Sequence, residues 1–394
     1  MSSPNYSELK ANEWTRPLVQ GVVALLVFET LTGLANYLLP FSVPNQVMVL
    51  LHTAAGFVLI VPYVAYQWRH WRIYRSLSAT HVSLTGYFAM AMVLALIVSG
   101  VVLAVQAAWW TRISPAWDAA HLLATAGLLA SLAPHLVTLV RRASRAAEGA
   151  RLKPASRTFV RRATIWGVAP LVLAPALAML YRPVPLKDSL PADYSYVYGK
   201  DRPFAPSLAR TASGGAYDSR SLSGSASCGT GGCHTEVYKE WEVSAHRYSA
   251  MDAAFQKVQS VMGEQNGPES TRYCGGCHDP ISLFSGTKNI FTKDLTNLAG
   301  YQEGVSCIAC HAIRETDTKG NAAYVMSQPG RYMFEYSDTV GYPRLIRDFL
   351  IRSYPRAHVA TLQHKLFKSP EFCAGCHKQF IDKEINKVGW VQLQ

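Results

Sequence analysis

The sequence predicts an all-α protein: a five-helix transmembrane bundle, four core helices plus one connecting helix, followed by a largely irregular and α-helical C-terminal domain. Three observations predict it. Five apolar stretches, near 17–39, 46–68, 82–107, 119–140 and 163–181, each approach the ~20 residues that span a bilayer as a helix. Short basic segments flank them. Beyond residue 228 the long apolar runs stop, and all eight cysteines lie there.

Charge orients the five stretches. Residues 1–181 carry 14 Lys/Arg against 5 Asp/Glu, a balance of +9, which leaves +3 of the total +12 for the remainder. The excess sits at Arg69, Arg72 and Arg75 and from Arg141 to Arg162, the asymmetry of cytoplasmic loops. It gives no support to nucleic-acid binding. Segments 40–45 and 108–118 are nearly neutral and read as external. Trp109, Trp110 and Trp117 then form an outer interfacial belt, and Trp68 and Trp71 an inner one. The tail 1–16 is predicted cytoplasmic and too polar for a cleavable signal peptide, so the first span stays as an anchor. The fifth span delivers the chain to the outer face, and a Pro-, Ser-, Gly- and Tyr-rich linker follows over 182–227.

The cysteines fall into four Cys–His motifs within 228–394: Cys228/Cys233/His234, Cys274/Cys277/His278, Cys307/Cys310/His311 and Cys373/Cys376/His377. Three are CxxCH, the attachment signature of c-type haem, in which two thioethers hold the porphyrin and the adjacent histidine ligates iron. The first has four residues between its cysteines, and its glycines can loop out the excess. A lone CxxC is compatible with zinc or redox chemistry; four, each with a trailing histidine, point to four covalent c haems. Such attachment takes place outside the cytoplasmic membrane of bacteria. The expected location is therefore the inner membrane, multi-pass, with the haem domain periplasmic.

Five histidines lie in or beside the spans. Ionisable groups at that depth are costly and usually functional. His52 and His70 are 18 residues apart, five whole turns, and His121 and His135 are 14 apart, about 40° off one face. His52 and His121 fall at similar depth near the outer side, His70 and His135 near the inner side, with His70 about 6 Å deeper by rise. His81, at the start of the third span, is the alternative inner ligand. Residues 17–140 resemble the four-helix cytochrome b architecture, in which two helices with two histidines each clamp two b haems. That resemblance implies His52, His121, His70 and His135 as haem b ligands. A single b haem, or interfacial histidines that bind none, are the other readings. Glu29, the one acidic residue of the first span, is a proton or quinone candidate, as is His81; a carboxyl merely hydrogen-bonded inside the bundle is the plain reading.

Three histidines remain as distal c-haem ligands: His246, His358 and His364. Three for four irons leaves one iron methionine-ligated (Met251, Met262, Met326 and Met333 are available) or five-coordinate. The stretch Cys233-His234-x6-Trp241-x2-Ser244-Ala245-His246, with Gly304–His311 and Ser369–His377, resembles the tetrahaem cytochrome c family that includes the electron acceptor of hydroxylamine oxidoreductase. The resemblance covers 228–380 and implies three bis-histidine haems and one five-coordinate haem. The CX4CH spacing and the fused membrane domain depart from it.

Together these readings predict a membrane-bound multihaem cytochrome of a respiratory chain, carrying electrons between the quinone pool and a periplasmic partner, with possible quinol dehydrogenase activity. Two alternatives stand beside it. One is a terminal reductase acting on a small nitrogen or sulfur compound at an open c haem. The other is a haem-bearing subunit of a larger respiratory or photosynthetic complex, with the bundle as its anchor.

Overall fold

The computed structural model describes residues 6–75, 80–145, 151–230, 232–288, 295–337, 341–380 and 392–393. Two compact units emerge: Met1–Pro183 with Leu345–Tyr354, and Val184–Arg344 with Pro355–Gln394.

The first unit is helical. After α1 (Tyr6–Thr15) come α2 (Pro17–Leu38), α3 (Val43–Tyr74), α4 (His81–Trp109), α5 (Pro115–Ser144), α6 (Leu152–Val168), a 3-10 turn over Ala169–Val172, and α7 (Leu173–Leu180). Five segments are long and apolar enough to cross a membrane, the fifth being Leu152–Leu180 taken as a whole. Their starts are written locally. Pro17 and Pro115 occupy first-turn positions, where a missing N–H costs nothing. Ser42 caps α3 through the Asn45 amide. Thr80 and Ser83 cap α4 reciprocally, a device worth about 1 kcal/mol.

Two expectations need adjusting. The basic stretch 141–162, expected as a loop, is mostly the ends of α5 and α6, because its alanines and arginines are good helix formers. The fifth span is also not one continuous helix: it tightens at Ala169–Val172, where Pro170 interrupts the hydrogen-bond ladder.

Helices α2 and α3 pack together, as do α4 and α5. Val22, Leu26, Leu59, Tyr63, Ala89, Val93 and Leu128 interlock as an apolar layer drawn from all four. In sequence Leu59 and Tyr63 lie between His52 and His70, and Leu128 between His121 and His135, so this layer separates two histidine levels. On the flank, α6 runs against α2 through Phe159, Ala163, Val19 and Val23, and Trp14 of α1 stacks on Phe159 at 5.4 Å. Arg69 grips Glu13 with two hydrogen bonds of 3.0 and 2.8 Å. The segment Leu345–Tyr354 also belongs to this unit. Tyr354 stacks on Phe41 and accepts from Asn45 Nδ2 at 3.0 Å, and Arg352 donates to the last carbonyls of α4, Ala107 and Ala108.

The second unit is a set of short helices around a small sheet. Its helices are α8 (Ser225–Thr230), α9 (Thr235–Glu242), α10 (Ala245–Tyr248), α11 (Ala253–Asn266), α12 (Arg272–His278), α13 (Pro280–Ser285), α14 (Ala299–Glu303), α15 (Cys307–His311), α16 (Tyr342–Ser353, most of which lies in the first unit), α17 (Pro355–Leu362) and α18 (Pro370–His377). Strands β1 (Arg210–Thr211), β2 (Ile313–Thr316) and β3 (Tyr324–Met326) form a sheet of order β1-β3-β2, with β1 parallel and β2 antiparallel to β3. A short antiparallel pair, β4 (Gln379–Phe380) with β5 (Gln392–Leu393), follows.

The stretch 182–227, expected as a linker, is folded into this unit. Phe204, Ala209, Tyr217 and Leu222 are buried in one cluster with Ile281, Phe284, Ile313, Tyr324 and Met326. Polar anchors hold it there. The buried Arg272 lies over the Tyr194 ring at 4.1 Å and donates to Ser195 O at 2.8 Å, and Asp218 binds Arg220 and the Lys187 amide. Aromatic and charged anchors spaced far apart carry no periodicity, which is why the sequence reads as a linker.

Candidate functional site

Three histidines of the bundle are seated by one repeated device. His52 of α3 meets Thr32 and Gly33 of α2, His121 of α5 meets Ser99 and Gly100 of α4, and His135 of α5 meets Thr85 and Gly86 of α4. In each case the hydroxyl stands near Nδ1, at 2.9, 2.9 and 3.5 Å. The glycine has no side chain where the ring lies: a methyl group there would be 3.3, 3.4 and 3.0 Å from the respective Cε1.

Hydrogen-bond counting fixes the tautomers. Thr32 and Ser99 each spend their single proton on a backbone carbonyl one turn earlier, Phe28 O and Ala95 O, so each accepts from the imidazole. His135 Nδ1 faces Val82 O at 2.9 Å, and a carbonyl only accepts. All three rings therefore carry their proton on Nδ1 and present the Nε2 lone pair, the form that binds a metal. His52 Nδ1–H has a second acceptor, Glu29 Oε2, at 3.0 Å. Of the quinone and proton candidates, Glu29 is thus bound to a histidine, while His81 sits exposed at the first residue of α4.

His52 and His121 face each other with ring centroids 6.2 Å apart and planes at 82°. A metal–imidazole bond is about 2.0 Å; with about 1.1 Å from nitrogen to ring centre on each side, two imidazoles trans on one metal stand about 6.2 Å apart. The donor set and spacing fit a bis-histidine haem. His70 packs between Tyr66 and Tyr74 at 5.4 and 4.6 Å. It interacts electrostatically with His135, without the ring contact that His52 and His121 make.

The second unit repeats this spacing twice. His234 of the first motif faces His358 at 6.2 Å with planes at 17°, and His377 of the fourth motif faces His246 at 6.1 Å with planes at 85°. Among the described residues neither His278 nor His311 has a second histidine opposite it. His364 instead contacts Arg314 and Thr361 O. Burial holds His278 below the ordinary histidine range. It does the same for His358, where the nearby His234 and His311 add to it, so both rings stay neutral and able to ligate. Phe255 stacks on His278 at 4.2 Å and 6°. Among the methionines considered as ligands, Met326 lies fully buried in the core strand β3.

The motifs are tied together in two pairs. Cys228 and Cys307 side chains hydrogen-bond, as do those of Cys277 and Cys376. The first and third motifs share further links. Glu303 caps α8 through the Gly224 and Ser225 amides, Ser225 Oγ accepts from Cys307 N, and His311 Nδ1 donates to Leu362 O, on the helix that bears His358. The second and fourth share another: His278 Nδ1 donates to Ser249 O, three residues after His246. Trp241 Nε1 donates to Val305 O, and Val305 N to His246 O, joining the two segments singled out in sequence. In the first motif Gly232 takes φ +76° and the His234 amide reaches back to Cys228 O at 3.1 Å, so the longer spacing is closed by a turn only glycine adopts readily.

A family model described as cytochrome c554 and c-prime matches residues 227–312, a stretch that holds the first three motifs and His246. No curated protein and no solved structure matches the chain. The matched part is a c-type cytochrome segment, its cofactor is covalent haem c, and the chain joins it to five helices able to span a membrane.

Proposed function

We propose that this protein is a membrane-bound multihaem cytochrome that carries electrons between the quinone pool and a partner on the periplasmic side of the inner membrane. The observation that carries the reading is the recurrence of one distance: three histidine pairs, one in the bundle and two in the cytochrome c unit, stand 6.1–6.2 Å apart. Haem, when bound, supplies one-electron exchange. The chain's own residues hold it, set its ligand basicity and keep water from it.

On this reading His52 and His121 hold an outer haem b, and His70 and His135 an inner one. His81 is less suited, being exposed at a helix start. In the second unit the eight cysteines anchor four c haems on His234, His278, His311 and His377. His358 completes the first site and His246 the fourth. The cysteine contacts and shared segments support pairing of the first site with the third and of the second with the fourth. The N-terminus inside and the haem unit outside follow from the basic ends of α3 and α5. A haem count tests the proposal: four covalent haems by pyridine haemochrome with two acid-extractable haems supports it, and four with none reduces the bundle to an anchor. His121→Ala and His135→Ala should each remove b-type absorbance and leave covalent haem intact.

A second reading, a reductase of a small nitrogen or sulfur compound, is favoured by the open side of His278. Beside its motif lies a small polar cleft lined by Gln256, Gln259, Lys288 and Tyr301. A high-spin ferric signal that shifts with nitrite or hydroxylamine supports this reading; entirely low-spin iron removes it.

A further inference from the structure

We infer that Asn36, Asn45, Arg352 and Ser353 receive the propionates of the haem b held by His52 and His121, so that the segment Leu345–Tyr354 completes the outer b site. The inference rests on the assignment of those two histidines as haem ligands. A b haem brings two carboxylates into the bundle, and these need donors and a cation. Toward the inner side lies the apolar layer around Leu26, Leu59 and Leu128, which offers no cation. Toward the outer side polar groups converge at one height. Asn45 lies seven residues before His52, two turns and about 10 Å farther out on the same face of α3. Ala107 lies seven residues after Gly100, which seats His121, so the two levels match. Arg352 is fixed at that level, its Nη1 donating to Ala107 O and Ala108 O at 3.3 and 3.2 Å. Asn36, three residues after Gly33 on α2, falls between this level and the histidines.

The polar atoms at this end are set for a group that the chain does not itself supply. Asn36 Oδ1, Asn45 Oδ1 and Ser353 Oγ are buried with no hydrogen-bond partner among the described residues, and Asn45 is only 2% exposed. Burying such atoms unsatisfied is destabilising, so their gathering here points to a bound polar group. Asn45 Nδ2 donates to the Tyr354 hydroxyl at 3.0 Å. A hydroxyl gives as well as accepts, so the amide can turn over, keep that bond and aim its N–H at a carboxylate. Ser353, next in the chain, can donate directly. For the charge, Arg347 is paired with Asp348 at 2.8 Å and Arg112 is exposed. Arg352, whose Nη1 bonds go to neutral carbonyls, is the cation best placed.

The test uses the full-length protein, stripped of non-covalent haem and refilled with haem or with haem dimethyl ester, whose carboxylates are capped. Wild type should hold haem about tenfold more tightly than the ester, the margin of a charge-assisted bond over a neutral one. Arg352→Gln should bring that ratio toward one for one of the b haems, and Arg352→Lys should restore most of it. Ser353→Ala removes a hydroxyl without a partner. Its haem-free form should therefore melt no earlier than haem-free wild type, while haem is lost more readily; a serine needed only for the fold would lower the melt and leave the ratio alone. An ester held as tightly as haem by wild type, or a ratio unchanged in both Arg352→Gln and Ser353→Ala, overturns the inference and leaves the histidine ligands standing. If the ratio stays and quinol oxidation alone suffers, the cluster serves a quinol headgroup and the inference falls. Should Arg352→Gln fail to fold, Ser353→Ala decides by the same two readouts. Wild-type protein without non-covalent haem overturns the ligand assignment and the inference together.

Discussion

If His135 holds a haem b, as proposed, replacing Gly86 by alanine separates haem binding from helix stability. A methyl carbon at this position would lie 3.0 Å from Cε1 and 3.3 Å from Nδ1 of His135. Carbon contacts relax at about 3.5–4.0 Å, so the ring must withdraw by about half an ångström, whereas metal–ligand distances hold to about 0.2 Å. Overpacking of this kind costs about 1–3 kcal/mol, a loss of about 5- to 150-fold in inner haem occupancy. The same change removes a glycine from a helix interior and stabilises α4 by about 0.5–1 kcal/mol. The two effects have opposite signs. We expect Gly86→Ala to lose non-covalent haem, while its haem-free form, in which the imidazole is free to withdraw, unfolds no earlier than haem-free wild type. The corresponding methyl would be 3.3 Å from His52 Cε1 at Gly33 and 3.4 Å from His121 Cε1 at Gly100, so the loss should fall in the order 86, 33, 100. The assay is acid-extractable haem per covalent haem, with a reduced-minus-oxidised spectrum and a thermal melt. Full b-haem content in Gly86→Ala alongside depletion in Gly100→Ala would refute the cradle.

Other perturbations probe the second unit. His358→Ala and His246→Ala should each turn one low-spin c haem high-spin, read by electron paramagnetic resonance, with the covalent haem count unchanged. Asp218 is held below the usual carboxylate range, first by its hydrogen bond from Arg220 and then by the Lys187 and Arg220 amides. A depressed carboxyl contributes stability above its unfolded value, near 4, and loses it as pH falls through the lower folded value. Melting temperature should therefore hold at neutral pH and drop only in strong acid, and Asp218→Asn should cost about 2 kcal/mol and flatten that acid limb. Phe284→Ala, at a fully buried core position, should cost about 3–5 kcal/mol in denaturant unfolding of the holo-protein.

Hydropathy made the five long apolar helices legible, and the Cys–His spacing made the c-type cytochrome segment legible, because both are local patterns. Their partners were not. The Thr32-Gly33, Thr85-Gly86 and Ser99-Gly100 dipeptides are plain in the sequence, yet nothing local says that each lies beneath an imidazole on a neighbouring helix. Histidine counting anticipated one unmatched iron, whereas the structure pairs two distal histidines and gives His364 to Arg314. That outcome turns on whether Arg314 or an iron occupies the His364 ring nitrogens, a competition of tertiary contacts. The segment 182–227 reads as a linker because its anchors, Phe204, Tyr217 and Asp218, are isolated; burial against α13 and β3 supplies what periodicity lacks.

The allegiance of Leu345–Tyr354 limits how the molecule can be divided. Because this segment belongs with the helical bundle, the chain passes between the two units three times, at residues 183/184, 344/345 and 354/355. Cutting at the first of these does not release a self-sufficient soluble cytochrome. The fragment would take with it a segment whose Leu350 and Tyr354 are buried in the intact protein and whose Arg352 serves the end of α4. Such a fragment should self-associate or require detergent, and the severed bundle would lose the cap over α4.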